Sequence, residues 1–489
     1  MSQVLKAKVT KEHPSMLSVI VNKFKSFRDH IFSCFSFRAD ATMELLDSLS
    51  GNIDATSVVQ LSLSSIFRRG YGSVRDAIKH FAADPKQSIR LEQSLIQYCS
   101  PITETQPFRL LVVDCTPAPR KYSKTLTDRG IVHAPNVIPG NKPITVGHQY
   151  SVVGFLPEQR LGEENIPWLL PISTRRVATN TNGTAVAIEQ LDMIVPSFLK
   201  DLTVILGDIA YSSPKFISGN HKYENSVLIA RLKGNRVINH QPAPKKLKIT
   251  NRRGRGHELW YGKEFNLKDE STWGTPDETI SIVFKTRKGK NFTANIQGWH
   301  NKLMRQKKGV RLNEYPFTVV RITITNENNE LVYKRPMWLM ASGKRREELS
   351  LIQIWQSYKR RYDIEHFFKF GKTRLLMDKF QTPETTHEES WWQISSLAYA
   401  QLYMAREIAV NLPNPWEKYL PEMKNNEKVK AARQVQKSFI RITAEIGTPA
   451  SAPKPRVKPL GRAKGEKQKR RVHYPIILKR LKLLKKRAA

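Results

Sequence analysis

The chain reads as an α/β protein. A mixed sheet flanked by helices is interrupted by a β-rich insertion, preceded by an all-α N-terminal domain and followed by a basic tail expected to be disordered. Three observations carry this reading. Residues 14–100 hold apolar side chains at spacings of three and four. From residue 108 onward, short apolar strands alternate with helical stretches. Residues 235–335 switch to apolar–polar alternation between turns rich in Gly, Asn and Lys.

Composition bounds the partner. At 489 residues, with 40% apolar and 25% charged side chains, the chain is globular and long enough for two to four domains. A net charge of +38 calls for a polyanion, either nucleic acid or an anionic membrane surface. No apolar run approaches the roughly 18 to 20 residues of a membrane span, and the N-terminus lacks a signal-peptide pattern. Three cysteines, Cys34, Cys99 and Cys115, cannot all pair and show no metal-ligand spacing. The expectation is a protein of the reducing cytoplasm with a nucleic-acid partner and no membrane.

Taken in order, residues 16–35, 42–49, 54–67 and 73–81 are predicted helices, with Asp54 and Ser73 as N-caps. Their polar sides lean basic (Lys23, Arg28, Arg68, Arg69, Arg75, Lys79), which suits either a DNA-reading domain over 1–104 or a helical packing domain with a solvated surface. Residues 108–114 form an apolar strand ending in Asp114. Strands over 150–155 and 168–172 follow, then a helix over 185–199, and a strand over 202–206 that runs into Asp208. A further strand, 227–232, closes the first part of the core, 105–234. The insertion, 235–335, contributes strands over 280–284, 317–324 and 331–334. Residues 336–412 resume the core with a buried strand around Trp338, the helix over 358–372, and a long final helix over 390–410. A helical or linker segment, 413–453, leads into the tail. Residues 454–489 carry fifteen Lys or Arg against Glu466 alone, so they cannot bury a core and are expected to order only on phosphate. Residues 476–484 have enough apolar character to become a short basic helix on binding.

The helix over 358–372 carries the chemistry. A helix advances about 100° per residue, so Tyr358, Arg361, Glu365 and Lys372 fall within roughly 60° of one another. Ile364 and Phe367 cover the other side. One carboxylate thus stands among cations and a phenol, an arrangement suited to a metal ion beside nucleic-acid phosphate; the alternative is an ordinary solvated face. Asp114 and Asp208 each end an apolar strand. If the strands are parallel neighbours, both acids meet at one sheet edge, and two adjacent carboxylates repel until a cation joins them. Hard oxygen ligands favour Mg²⁺ or Mn²⁺, and two such ions about 4 Å apart serve phosphodiester chemistry.

The spacing Tyr358, two residues, Arg361, three residues, Glu365, six residues, Lys372 resembles the YREK signature of bacterial insertion-sequence transposases, whose catalytic core is ribonuclease-H-like. The resemblance spans about residues 105–410 and includes a β-rich insertion ahead of the signature glutamate. It implies Asp114, Asp208 and Glu365 as the catalytic and metal-binding triad, with two Mg²⁺ (or Mn²⁺) ions. It further implies Tyr358, Arg361 and Lys372 on phosphate, with Lys369 one turn before Lys372. Trp338 matches the position of a tryptophan that stacks on a flipped base, although a Trp on an apolar strand is ordinarily core. Arg231, Lys233 and Arg236 resemble basic residues that contact the transposon end, or form a solvated run. One departure stands out: Ile209-Ala210-Tyr211 follow Asp208 where relatives often place Arg or Lys.

The function implied is cut-and-paste transposition: metal-dependent cleavage of double-stranded DNA at terminal inverted repeats, then 3′-end strand transfer into target DNA. A homodimer in a synaptic complex, associated with the bacterial nucleoid, is the implied assembly. The competing readings are a silent DNA-binding descendant, disfavoured by three retained acids, and a nuclease that hydrolyses without strand transfer.

Overall fold

The computed structural model describes residues 16–123, 125–135, 142–159, 166–243, 259–285, 289–305, 312–412, 430–455, 461–468, 470 and 472–476. The predicted helix at 476–484 and much of the basic tail lie outside the described residues. The described residues fall into two compact units: those within 16–94 and 370–476 form one, and those within 95–159 and 167–369 form the other.

The second unit is built on one ten-stranded mixed sheet. Its strands are β1 (Arg109–Pro119), β2 (Gly130–His133), β3 (Ile144–Phe155), β4 (Leu170–Val177), β5 (Thr203–Gly207), β6 (Ser226–Arg231), β9 (Glu278–Lys285), β10 (Asn291–Lys302), β11 (Phe317–Asn326) and β12 (Met337–Ser342). The strand order is β2-β3-β1-β5-β6-β12-β11-β10-β9, with β4 also on β3. β7 (Val237–Asn239) and β8 (Glu264–Asn266) pair separately. The run β4-β3-β1-β5-β6 is antiparallel at β3 and parallel from β1 through β6, as expected for a ribonuclease-H-like core. The central strands read as unbroken apolar runs because both faces are covered; Leu111–Val113, Val204–Leu206 and Val227–Ala230 are fully buried.

Helix α5 (Gly183–Ile194) starts at Asn182, whose side chain accepts from the Ala185 N–H. It packs on β1, β3 and β4, where Gln190 accepts from the Ser151 hydroxyl at 2.7 Å. The short α6 (Pro214–Asn220) packs on α5 and β6. Helix α7 (Leu351–Lys359) opens with a capping box between Ser350 and Gln353 and packs against β10 and β6. Within 235–335, β7 and β8 form a small sheet of their own, whereas the longer strands are not a separate layer. β9 to β11 extend the central sheet, joined to it through β12.

The first unit is helical: α1 (Met16–Cys34), α2 (Ala39–Ser50), α3 (Gly72–Phe81), most of α4 (Gln87–Ile96), α9 (Thr385–Asn411) and α10 (Ala432–Ile446). The long helix expected to close the sheet core lies here instead, packed on α1, α2, α3 and α10. A buried ion pair ties this unit together: Arg28 donates to both Asp47 oxygens at 2.7 and 2.8 Å, to Gln401 and to the Gly447 carbonyl. No helix among the described residues is long and apolar enough to cross a membrane.

Several sequence expectations are corrected. Residues 54–67 do not form a helix; only a short 3₁₀ turn, Val59–Leu63, appears. Ser and Thr side chains there compete for the backbone, and Gln60 takes the N–H groups of Thr56 and Ser57. Asp54 therefore caps nothing, and Ser73 lies inside its helix rather than ahead of it. Residues 331–334 make no strand beyond one bridge from Leu331 to Thr325. The helix over 358–372 is two helices, α7 and α8 (Asp363–Arg374), joined by a 3₁₀ turn at Arg360–Tyr362.

Candidate active site

Asp114 does not end its strand. β1 continues five residues past it on β3, with Asp114 opposite Val152. What ends near Asp114 is the parallel pairing with β5, whose last rung is Val112 with Leu206. Two residues further on, in the same register, stand Asp114 and Asp208. β5 pairs in turn with β6, Gly207 beside Ala230, so the next position on β6 is Arg231. Asp114, Asp208 and Arg231 thus share one level across three adjacent strands. A tight turn follows Asp208, whose Oδ1 accepts from the Ala210 N–H at 2.8 Å. Gly207 is required there, because a Cβ would approach the Tyr211 Cβ to 2.5 Å.

The 3₁₀ turn decides the third acid. Three residues wound at about 120° each rotate α8 relative to α7, so the four signature residues do not share one exposed stripe. Tyr358 and Arg361 turn inward and Glu365 stays exposed. Arg361 Nη1 donates to Asp114 Oδ2 at 3.4 Å and Nη2 to Glu365 Oε1 at 2.5 Å. One planar fork touching both keeps these carboxylates within roughly 8 Å of each other. Burial, then the like charge of Asp208, push the Asp114 carboxyl up to about 6, against the Cys115 N–H and Arg361; Glu365 adds to the repulsion. Burial also raises the Tyr358 phenol to about 12, with the Arg361 and Arg231 charges opposing.

The remaining predicted residues divide. Arg231 joins the site by register and by its field on Tyr358. Lys369 is exposed on α8, and Lys372 lies past the division at Phe370, near Asp378, its pKa lowered by burial. Lys233 is exposed, while Arg236 turns to Ser212 and the Met304 sulfur. Trp338 is corrected: it is 2% exposed, edge-on to Trp273 at 5.0 Å and near Trp299 and Phe265. It offers no face to a base, because an indole on an inner strand is worth more as core.

Sequence reasoning missed the support behind the acids. Cys115 Sγ lies 3.5 Å from the Tyr211 hydroxyl, and the start of α5 at Gly183 packs directly on that sulfur. Cys115 and Tyr211 stand close after Asp114 and Asp208 in the sequence, which gives no sign that the thiol and the phenol meet.

The donors fit a hard divalent cation in kind: three carboxylates, two of them repelling each other. Among the described residues, no three His, Cys, Asp or Glu side chains are already gathered as a ligand set. Arg361 stands between two of the three acids.

The large mixed sheet flanked by helices is that of a ribonuclease-H-like core. Residues 30–306 match the model of the DDE superfamily endonucleases, and the chain belongs to that family. The matched stretch includes Asp114 and Asp208; Glu365 lies beyond it. No curated protein matches the chain. Family membership makes DNA the substrate class.

Proposed function

We propose that the chain is a cut-and-paste DDE transposase of the YREK-signature kind, which cleaves at terminal inverted repeats and transfers the 3′ ends to target DNA. One observation supports it most. The charges of Asp208 and Glu365, both far from Asp114 in sequence, bear on the Asp114 carboxyl, Asp208 from the same strand register and Glu365 across the shared Arg361 fork. These three would hold Mg²⁺ or Mn²⁺. Two such ions would activate the attacking water or 3′ hydroxyl and stabilise the leaving 3′ oxygen. The chain's own groups supply the rest. Tyr358 and Arg231 border the acids and orient phosphate, and Arg361 brings a planar fork suited to phosphate oxygens. Lys369 and Lys372, on α8, add cationic contacts to the DNA backbone. A dimer on paired element ends, at the bacterial nucleoid, completes the proposal.

The test is incubation of the full chain with Mg²⁺ and a DNA fragment carrying the flanking repeats of its encoding element, followed by mapping of 3′ ends. Asp114→Asn, Asp208→Asn and Glu365→Gln are expected to lose cleavage by at least about a hundredfold while still binding the ends. Unimpaired cleavage by Glu365→Gln would remove that residue from the site. Cleavage without any joined 3′ ends would replace transposition by plain hydrolysis.

A further inference from the structure

Arg361 occupies an unusual place for a residue expected to face phosphate. Its side chain is buried, and its fork ends on two of the three proposed ligands, Asp114 at 3.4 Å and Glu365 at 2.5 Å. Its Nε has no acceptor among the described residues, and its carbon lies 4.6 Å from the Tyr362 ring centroid. The guanidinium therefore puts one positive charge where carboxylate oxygens would otherwise face a divalent cation. An oxygen lone pair directed at an N–H is not free to coordinate. Little water reaches the arm to Asp114, so that attraction is poorly screened, whereas the Glu365 carboxylate is half exposed and its bond is screened more.

We propose that Arg361 is a competing internal counter-ion: it neutralises Asp114 and Glu365 in the metal-free chain, and the acids accept a divalent cation only as the guanidinium withdraws. This deepens the transposase reading and rests on it. The two bonds are unequal. The long one to Asp114 gives way first, leaving Arg361 on Glu365, one helical turn away on its own segment. The displaced guanidinium then needs a partner, and a phosphodiester supplies two oxygens at the right spacing for its fork. Cation uptake and DNA binding are thereby linked, and by reciprocity each strengthens the other. An Arg serves here where Lys would not, because a single ammonium cannot span both carboxylates.

The experiment titrates the full chain with Mn²⁺ alone, without DNA, and follows free Mn²⁺ by its electron paramagnetic resonance. Arg361→Gln is expected to bind Mn²⁺ about tenfold more tightly than the wild type, because a buried competitor of its ligands is gone. Arg361→Lys keeps the charge, and with it the fold, and should fall between the two. A merely structural Arg361 would give the opposite sign, since losing it would loosen the acids and weaken Mn²⁺ binding. Affinity equal to or below wild type in both variants overturns the counter-ion role. That failure is separate from failure of the functional reading, in which Asp114→Asn would cleave DNA like the wild type.

Discussion

Asp114 is ionised at neutral pH against its surroundings, and its titration has a definite sign. Burial and Asp208 raise its folded pKa to about 6, above the ordinary carboxylic value of 3.8. Between these values the folded chain holds a proton that the unfolded chain releases. Stability from this group is therefore complete below about pH 4 and falls as pH rises through 6. A shift of this size corresponds to about 3 kcal/mol. In metal-free buffer, Asp114→Asn should be more stable than the wild type above pH 7, and that advantage should vanish near pH 4. Urea midpoints at the two pH values read it directly. Trp338 carries a prediction of the other kind. Packed among Trp273, Trp299 and Phe265, it should lose about 3–5 kcal/mol of stability on Trp338→Ala. A side chain that only stacked on DNA would leave the unfolding midpoint unmoved.

Elements translate residue chemistry into placement. β1 and β5 read as strands because their apolar runs are short and bounded, and their parallel pairing puts Asp114 and Asp208 at one level. The 358–372 stretch was legible as helical, and its apolar Ile364 and Phe367 are buried as the period predicts. The 3₁₀ turn within it was not, because Arg360 and Arg361 adopt it to reach tertiary partners. Arg360 bonds Asp363 and the Pro157 carbonyl, both at 2.9 Å, and Arg361 reaches the acids. Helical periodicity sees neither. The helical unit has its own point of tension in Arg28 and Asp47, buried at 2% and 0% exposure. Removing one member of such a pair strands the other's charge. Arg28→Ala should therefore destabilise the helical unit by about 3–5 kcal/mol, seen as a lowered thermal transition.

At the scale of the molecule, the charge of +38 is an affinity for polyanion before it is anything specific. Residues 454–489 carry a net +14 of it. Deleting them should weaken non-specific DNA binding and flatten its dependence on salt, because a less charged chain neutralises fewer phosphates and so releases fewer counterions. An unchanged slope across a salt titration would assign the tail another role. The chain also distributes its sequence unevenly between units. Residues 390–410 carry an apolar pattern that fits any core, and they join the N-terminal helices rather than the sheet. Periodicity tells which face is buried, not which partner buries it.

The amino-acid sequence by itself determined the kinds of element, the basic character and the identity of the candidate acids, because these depend on local spacing and on side-chain chemistry. Only the tertiary structure decided that Asp114 sits inside a strand, that Trp338 is core, and that Arg361 stands between Asp114 and Glu365. Those facts follow from strand register and from one tight turn, in which residues hundreds of positions apart meet, and no local pattern encodes such a meeting.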